Sequence, residues 1–597
     1  MLNISQIFSQ PENPVLSLEV QARAVPKEIV QMNRFVVLVR HFVDRFFDNP
    51  MTSLEGEIGV RAVQIMCAIA VPGLMVAFSL IPSYFIFPPN TAPRAFWPRV
   101  SDHYFYVIYT SVVMGAVTVF EWDHLFPDLI DIQVLTPLPV LARKLFSAKI
   151  TALAVFLGLF LLASGFLGAI FLPLIAEEPS IFRHFLSHVL AITAAGMFTA
   201  AFFIALQGVL LNTIGERFFR WISPALRGLS LAALLIVLFL FPLLSQNLHL
   251  LLTSGNQAIL YFPPFWFLGL YQTLLQGSAA FPVFHTLAAI GGSALLAITA
   301  LAFLTYPLAY RRKTRSAMEG TVAKSARHRF ADARDAVIHA VFVHKPAQRA
   351  VYHFIGKTLK RAPYHRVYLS MYGGAGLALL TASIVAFKQE NGHLALAFSE
   401  RGLRSVIPVV AFLVVTGLKT AFMSPVALKA NWPFHGIGIR PNGDYVASTQ
   451  RWTLLRALIL TTAALLFAKI IAPAVFPGIR QMAAQLLVAQ GLCLLLVDVL
   501  FLQFLSIPFT VPLVYSKRNM GFLLAAFLLL FPPFILQVVD AGRWIEQSYW
   551  HFPVAILLVA GAHAALQHWQ QTMIRERASL PEREDEDDFP RRLGLAS

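Results

Sequence analysis

The chain's dominant pattern is an apolar run of about 20 residues, broken by a short polar stretch and then repeated. Such runs lie near 62–87, 103–120, 149–175, 185–213, 226–245, 284–309, 367–387, 405–423, 453–476, 483–508, 521–540 and 551–568. A helix rises about 1.5 Å per residue, so each run is long enough to cross the hydrocarbon layer of a bilayer. The pattern predicts an all-α, polytopic transmembrane helical bundle of about 12 spans. Pro72 and Pro82 fall inside the first run. Packing against neighbouring helices makes such prolines tolerable in a membrane.

Two further segments have helical periodicity but are too polar to span. Residues 26–48 place Ile29, Val36, Val39, Val43 and Phe46 on one face, with Arg34, Asp44 and Arg45 away from it. Residues 346–361 gather Val351, Phe354, Ile355 and Leu359, with Arg349, Lys357 and Lys360 elsewhere. Both are expected to be amphipathic helices lying in the membrane interface, the competing reading being ordinary soluble linker helices. Each begins at a proline and precedes a block of six runs.

That shared layout suggests two six-helix halves in parallel orientation. The second span ends Gly115–Ala116–Val117–Thr118–Val119–Phe120 and the eighth ends Gly417–Leu418–Lys419–Thr420–Ala421–Phe422, each followed by a long loop. Gln207 and Gln503 lie near the cytoplasmic ends of the fourth spans of the two blocks. The expected organisation is a cytoplasmic N-terminal segment with an interfacial helix (1–61), a first six-span half (62–310), a basic linker with an interfacial helix (311–365), a second six-span half (366–568) and a charged, disordered cytoplasmic tail (569–597).

Composition agrees. Of 597 residues, 57% are hydrophobic and 13% charged, against roughly 25% charged in soluble domains. The net charge of +16 would suit nucleic acid, but its distribution suits a membrane protein better. With the N-terminus inside, cytoplasmic segments hold about 38 of the 47 lysines and arginines and external segments about 8, with Lys469 inside a span. Both termini are therefore expected in the cytoplasm. Cys67 and Cys493 lie inside apolar runs and are read as small core residues.

Chemistry is sparse. Gly356–Lys357–Thr358 has the ending of a phosphate-binding loop, but Val351 stands where its first glycine belongs. Glu121, Asp123, Asp128 and Asp131 cluster after the second span and are read as a solvated surface facing a basic partner rather than as a metal or acid–base site. His184 and His188 share a helical face but lack an accompanying Glu, so a chance pair is the preferred reading; His563 and His568 add nothing. Ions inside spans are costly unless paired. By depth, Lys419 and Asp498 are expected to approach each other or share a polar cavity.

The segment 121–149 carries a family resemblance. Glu121 closing the second span, the following Trp122 and Asp123, an amphipathic stretch, Leu135–Thr136–Pro137 and Lys149 opening the third span resemble the coupling region of ABC-2 type exporter permeases. The helix at 26–48 resembles the connecting helix of those permeases. The run Pro263–Pro264–Phe265–Trp266–Phe267–Leu268–Gly269–Leu270 resembles segments found before their sixth span. The corresponding loop of the second block, Lys429–Ala430–Asn431–Trp432–Pro433–Phe434, lacks the Glu and the Thr-Pro pair. The resemblance implies an inner-membrane permease with no catalytic residue, metal or cofactor of its own, partnered by two ATP-binding cassette subunits and membrane lipid, not nucleic acid. A secondary transporter of major-facilitator layout is the alternative, although the signature of its second loop is absent. An integral membrane enzyme acting on a lipid-linked substrate through the 121–131 acids is a third.

Overall fold

A computed structural model describes residues 34–47, 58–84, 94–126, 140–175, 180–214, 216–255, 257–319, 343–390, 393–424, 443–504, 507–510 and 520–579. The chain is a helical membrane protein. Eleven segments among the described residues are helical, long and apolar enough to cross a bilayer. A further helix, Met520–Gln547, covers 28 residues at the eleventh expected run.

The first part of the chain comprises α1 (Arg34–Phe47), α2 (Ile58–Tyr84), α3 (Phe96–Phe120), α4 (Ala142–Ile175), α5 (Ile181–Thr213) and α6 (Glu216–Phe239). Two short helices, α7 (Phe241–Gln246) and α8 (Leu248–Thr253), then lead into α9 (Pro263–Gln276) and α10 (Pro282–Glu319). The second part comprises α11 (Pro346–Arg361), α12 (Pro363–Ile384), strands β1 (Val385–Glu390) and β2 (His393–Phe398), then α13 (Glu400–Met423), α14 (Gly443–Ile471), α15 (Ile479–Phe501), α16 (Met520–Gln547) and α17 (His551–Ser579).

Packing follows one order twice. α1 lies on α4, and α11 lies on α14. α3 contacts α4, α5 and α6, while α13 contacts α14, α15 and α16. α5 packs on α10, and α15 on α17. The two parts meet chiefly where α6 crosses α12. Small residues permit that crossing: a Cβ at Gly374 would lie 2.1 Å from the Gly228 carbonyl oxygen, and one at Gly228 would lie 2.3 Å from the Ser370 carbonyl oxygen. Backbone-to-backbone approach of this kind is how apolar helices gain dispersion contacts in lipid. The Ser370 hydroxyl donates across the joint to the Pro224 carbonyl at 2.5 Å.

Several expectations need correction. Of the expected face of α1, Phe46 is buried and Val39 and Val43 pack against the same cluster, but Val36 is exposed; Phe42 and Phe47 join the buried face instead, with Phe46 and Phe47 meeting Phe156 and Phe160 of α4. The aromatic rings bury more area than valine, and they set the helix's rotation. Ile29 lies outside the described residues. In α11 the expected face holds, with Val351 and Ile355 fully buried and Phe354 and Leu359 packed beside them. The fold is not purely helical: α12 stops at Ile384, and an antiparallel hairpin follows, pairing Val385 with Phe398 and Glu390 with His393. Asn391–Gly392 between two alternating segments is a hairpin signal that the apolar run at 367–387 concealed. α10 continues to Glu319, ten residues past the expected span, and α17 continues to Ser579, into the expected tail. Backbone hydrogen bonding carries a helix on into water where no breaker intervenes.

Candidate functional site

The turn that follows α3 is built into the core. Trp122, Leu125 and Phe126 are fully buried and belong to the cluster that also holds Phe46 of α1, Phe156 of α4, Phe203 of α5, Leu231 of α6, Tyr306 of α10 and Met371 of α12. Three hydrogen bonds from two helices fix the backbone of the turn. Gln207 of α5 donates to the Trp122 carbonyl at 2.8 Å, Tyr306 of α10 donates to the Leu125 carbonyl at 2.5 Å, and Lys313 of α10 donates to the Asp123 carbonyl at 3.3 Å. A buried carbonyl without a donor is costly, so these bonds specify the turn's position.

Its charges are arranged with equal economy. Glu121 is buried and holds the His124 ring at 2.9 Å. Asp123 presents an exposed carboxylate to the buried guanidinium of Arg227 on α6. Although the Asp123 side chain keeps a solvent-facing side, the protein packed around it pushes its carboxyl upward by desolvation, and Arg227, Lys313 and His124 together hold it below its ordinary value of 3.8. Lys149 of α4 is buried with its ammonium 4.8 Å from the Phe42 ring and 4.7 Å from the Phe46 ring, which joins the third span to α1 through cation–π contact. Four of the seven candidate coupling residues, Glu121, Trp122, Asp123 and Lys149, therefore fall in one connected assembly. Leu135, Thr136 and Pro137, with Asp128 and Asp131, lie outside the described residues.

The equivalent place in the second part has different chemistry. Phe422 ends α13 fully buried against Trp452, Phe501 and Phe509. Phe509 adopts φ 68° and donates its N–H to the Phe422 carbonyl at 2.8 Å. A bulky residue is held in the left-handed region only where its surroundings over-determine it. Here the ring sits in the aromatic knot and against His365. The end of α13 thus lies in an apolar knot, and the segment that follows it, 425–442, is outside the described residues. Lys429 to Phe434 lie outside the described residues.

Lys419 of α13 and Asp498 of α15 lie on helices that pack together, but no ion pair joins them among the described residues. The Asp498 carboxylate is buried and occupied from α17, by the His563 ring at 2.5 Å and the Gln567 amide at 2.9 Å. Gln503 is not the counterpart of Gln207: α15 ends at Phe501, and Gln503 is exposed beyond it. Lys469 caps its own helix end by donating to the Phe476 carbonyl.

Sequence reasoning missed Arg227, the buried partner of Asp123, although an arginine opening an apolar run is itself a signal that a counter-charge is near. It also underrated the histidines. His184 Nε2 lies 3.1 Å from His103 Nε2, His103 Nδ1 meets the Gln272 amide at 2.9 Å, and His188 Nδ1 meets the Tyr271 hydroxyl at 3.2 Å. These groups bind α3 and α5 to α9, a helix too short to span that lies buried between them and α10. The second part has an ionic network in the same place: Arg404 of α13 binds Glu546 of α16 at 2.7 Å, and Gln485 of α15 binds the same carboxylate at 2.7 Å. No cluster of His, Cys, Asp and Glu suited to a metal ion occurs among the described residues. Cys67 and Cys493 are free.

No family model, curated protein or solved structure matches the chain.

Proposed function

We propose that this chain is the membrane-spanning permease of an ABC-2 type exporter, moving its substrate across the inner membrane with ATP hydrolysed on separate subunits. It has twelve spans in two six-helix halves, with both termini in the cytoplasm. The observation that carries this reading is the turn after α3. It is anchored by hydrogen bonds to α5 and α10 and by an ion pair to α6, while Asp123 stays exposed. A push on such a turn reaches every spanning helix of the first half at once. Through Met371 in the same cluster it also reaches α12 of the second half. The repeated packing order supports the division into halves, and the α6–α12 crossing supplies the joint about which they would rock.

The halves differ where the motor would bind. In the first, Glu121 and Asp123 follow α3 and Asp123 is exposed, whereas in the second α13 ends at buried Phe422 and its loop sequence lacks the Glu and the Thr-Pro pair, which supports unequal coupling. ATP-binding subunits are expected on both halves, with the first turn transmitting most of the work. The secondary-transporter reading gains little: the embedded acid Asp498 is bonded within its own half, between α15 and α17.

The reading is tested by isolating the tagged full-length chain from its native membranes after mild crosslinking. A bound subunit with P-loop chemistry, in two copies per chain by native mass spectrometry, is expected. Recovery of the chain without any nucleotide-hydrolysing protein, across several detergents, would overturn the proposal.

A further inference from the structure

A cavity of about 540 Å³ opens between α2, the first turns of α3 and the pair α7–α8. Its lining is graded. Toward the middle of α2 and α3 the walls are Val76, Leu80, Phe105 and Phe241. Toward the α2–α3 connection they become Arg94, Trp97, Asp102, Ser245, Gln246 and His249. The gradient runs along helices that cross the bilayer, so the apolar end points into the hydrocarbon layer and the polar end toward the headgroups.

The polar end is electrically balanced. Arg94 grips Asp102 with Nε and Nη2, both at 2.8 Å, and Tyr84 donates to the same carboxylate at 2.8 Å. An added anion would have to compete with Asp102, and an added cation would meet Arg94. Uncharged oxygens suit the remaining groups. Arg94 Nη1 makes no hydrogen bond among the described residues, the Ser245 hydroxyl only accepts from Ser101 at 2.8 Å, and Gln246 is exposed. Trp97 borders the same space, with His249 4.7 Å from it, and supplies a ring against which a sugar or glycerol backbone can pack.

We propose that this cavity binds a membrane amphiphile with an aliphatic chain and an uncharged, hydroxylated headgroup, a glycosyl- or glycerol-headed lipid. The chain lies along Val76, Leu80, Phe105 and Phe241. The headgroup hydroxyls accept from Arg94 and Gln246 and exchange hydrogen bonds with Ser245. The site is independent of whether the chain recruits an ATPase.

The test uses the full-length protein in phosphatidylcholine nanodiscs and an alkyl β-glucoside carrying a diazirine at its chain terminus, with labelled peptides mapped by mass spectrometry. Saturable labelling of the Val76–Leu80 and Phe105 peptides is expected. Unlabelled octyl glucoside should displace it, whereas octyl sulfate and octyltrimethylammonium should not. Trp97→Ala and Ser245→Val should each weaken half-saturation about tenfold, the loss of a ring contact or a hydrogen bond. Labelling of the lipid-facing Leu301–Leu308 stretch of α10 should stay unchanged in both. The two variants remove different groups, so a folding defect in one leaves the other as a readout. Labelling that never saturates and matches the density on α10 would show an ordinary lipid annulus. Equal displacement by charged and uncharged amphiphiles would refute the headgroup assignment.

Discussion

Alanine at position 374 probes the joint between α6 and α12. The added Cβ would sit 2.1 Å from a backbone oxygen of Gly228, whereas real Cβ contacts stay above 3.0 Å, so the helices must part by about 0.9 Å. Parting them also stretches the bond between Ser370 and Pro224. Overpacking of this kind costs about 1–3 kcal/mol, and alanine's better helix propensity returns about 0.5–1 kcal/mol. A net loss of roughly 1–2 kcal/mol follows. The neighbouring Gly373 is an internal control, because a Cβ there meets nothing within 4 Å. Gly373→Ala should therefore leave stability equal or higher. Cys493 offers the assay: it is fully buried, and in a Cys67→Ser background it is the chain's sole thiol. Its reaction with a thiol-reactive dye on heating reports loss of packing. The midpoint should fall for Gly374→Ala and not for Gly373→Ala. Equal midpoints, or the reverse order, would mean that the two helices do not meet at this point.

Other substitutions separate the remaining parts. Gln207→Leu strands the buried Trp122 carbonyl and should cost about 1–3 kcal/mol in thermal unfolding, whereas Gln503→Leu, at an exposed position, should stay within about 0.5 kcal/mol. Asp123→Ala should destabilise more than Arg227→Met, because it leaves a buried guanidinium unpaired while the exposed carboxylate can hydrate; a double variant as unstable as the sum of both would contradict the pairing. Since Asp123 is held below its ordinary 3.8, its contribution is complete above that value and is lost as pH falls through the lowered one, so Asp123→Asn should flatten acid denaturation below about pH 4. His103 and His184 face each other through Nε2 at 3.1 Å, so one ring donates and the other accepts, and His184→Leu should strand the buried His103 nitrogen and lower the melting temperature. His563→Ala should destabilise more than Asp498→Asn, measured by the same thiol assay, because it leaves a buried carboxylate with Gln567 alone.

Much of the fold was legible because lipid imposes a coarse rule. Runs of about 20 apolar residues fixed where the long helices lie, and two proline-led amphipathic stretches marked α1 and α11. Rotation of each helix was less legible. Valines and phenylalanines are equally apolar in a periodicity argument, so Val36 is expected on the buried face of α1 where Phe42 and Phe47 sit instead, although Val39, Val43 and Phe46 do face the core. Side-chain partners between helices were the hardest to read. Asp498 is bonded from α17, by His563 and Gln567, although the helix that carries Lys419 packs on α15 as well, and depth alone does not choose between two neighbours. The coupling turn was found through its Glu-Trp-Asp run, yet the groups that hold it, Arg227, Lys313 and Tyr306, come from helices about 100 and more residues later. No local pattern can announce a contact at that separation. The hairpin at 385–398 is hidden because the first three residues of its first strand, Val385 to Phe387, continue an apolar run.

The most direct test of the central claim places a photo-crosslinking amino acid at position 123, the exposed residue of an otherwise buried turn, in cells producing the full-length chain. Illumination should join the chain to a nucleotide-hydrolysing subunit, and the same probe at the lipid-facing Leu301 should not. Adducts at position 123 that contain only lipid, or none with any such subunit while the chain remains folded in the membrane, would contradict a docked ATPase at this turn.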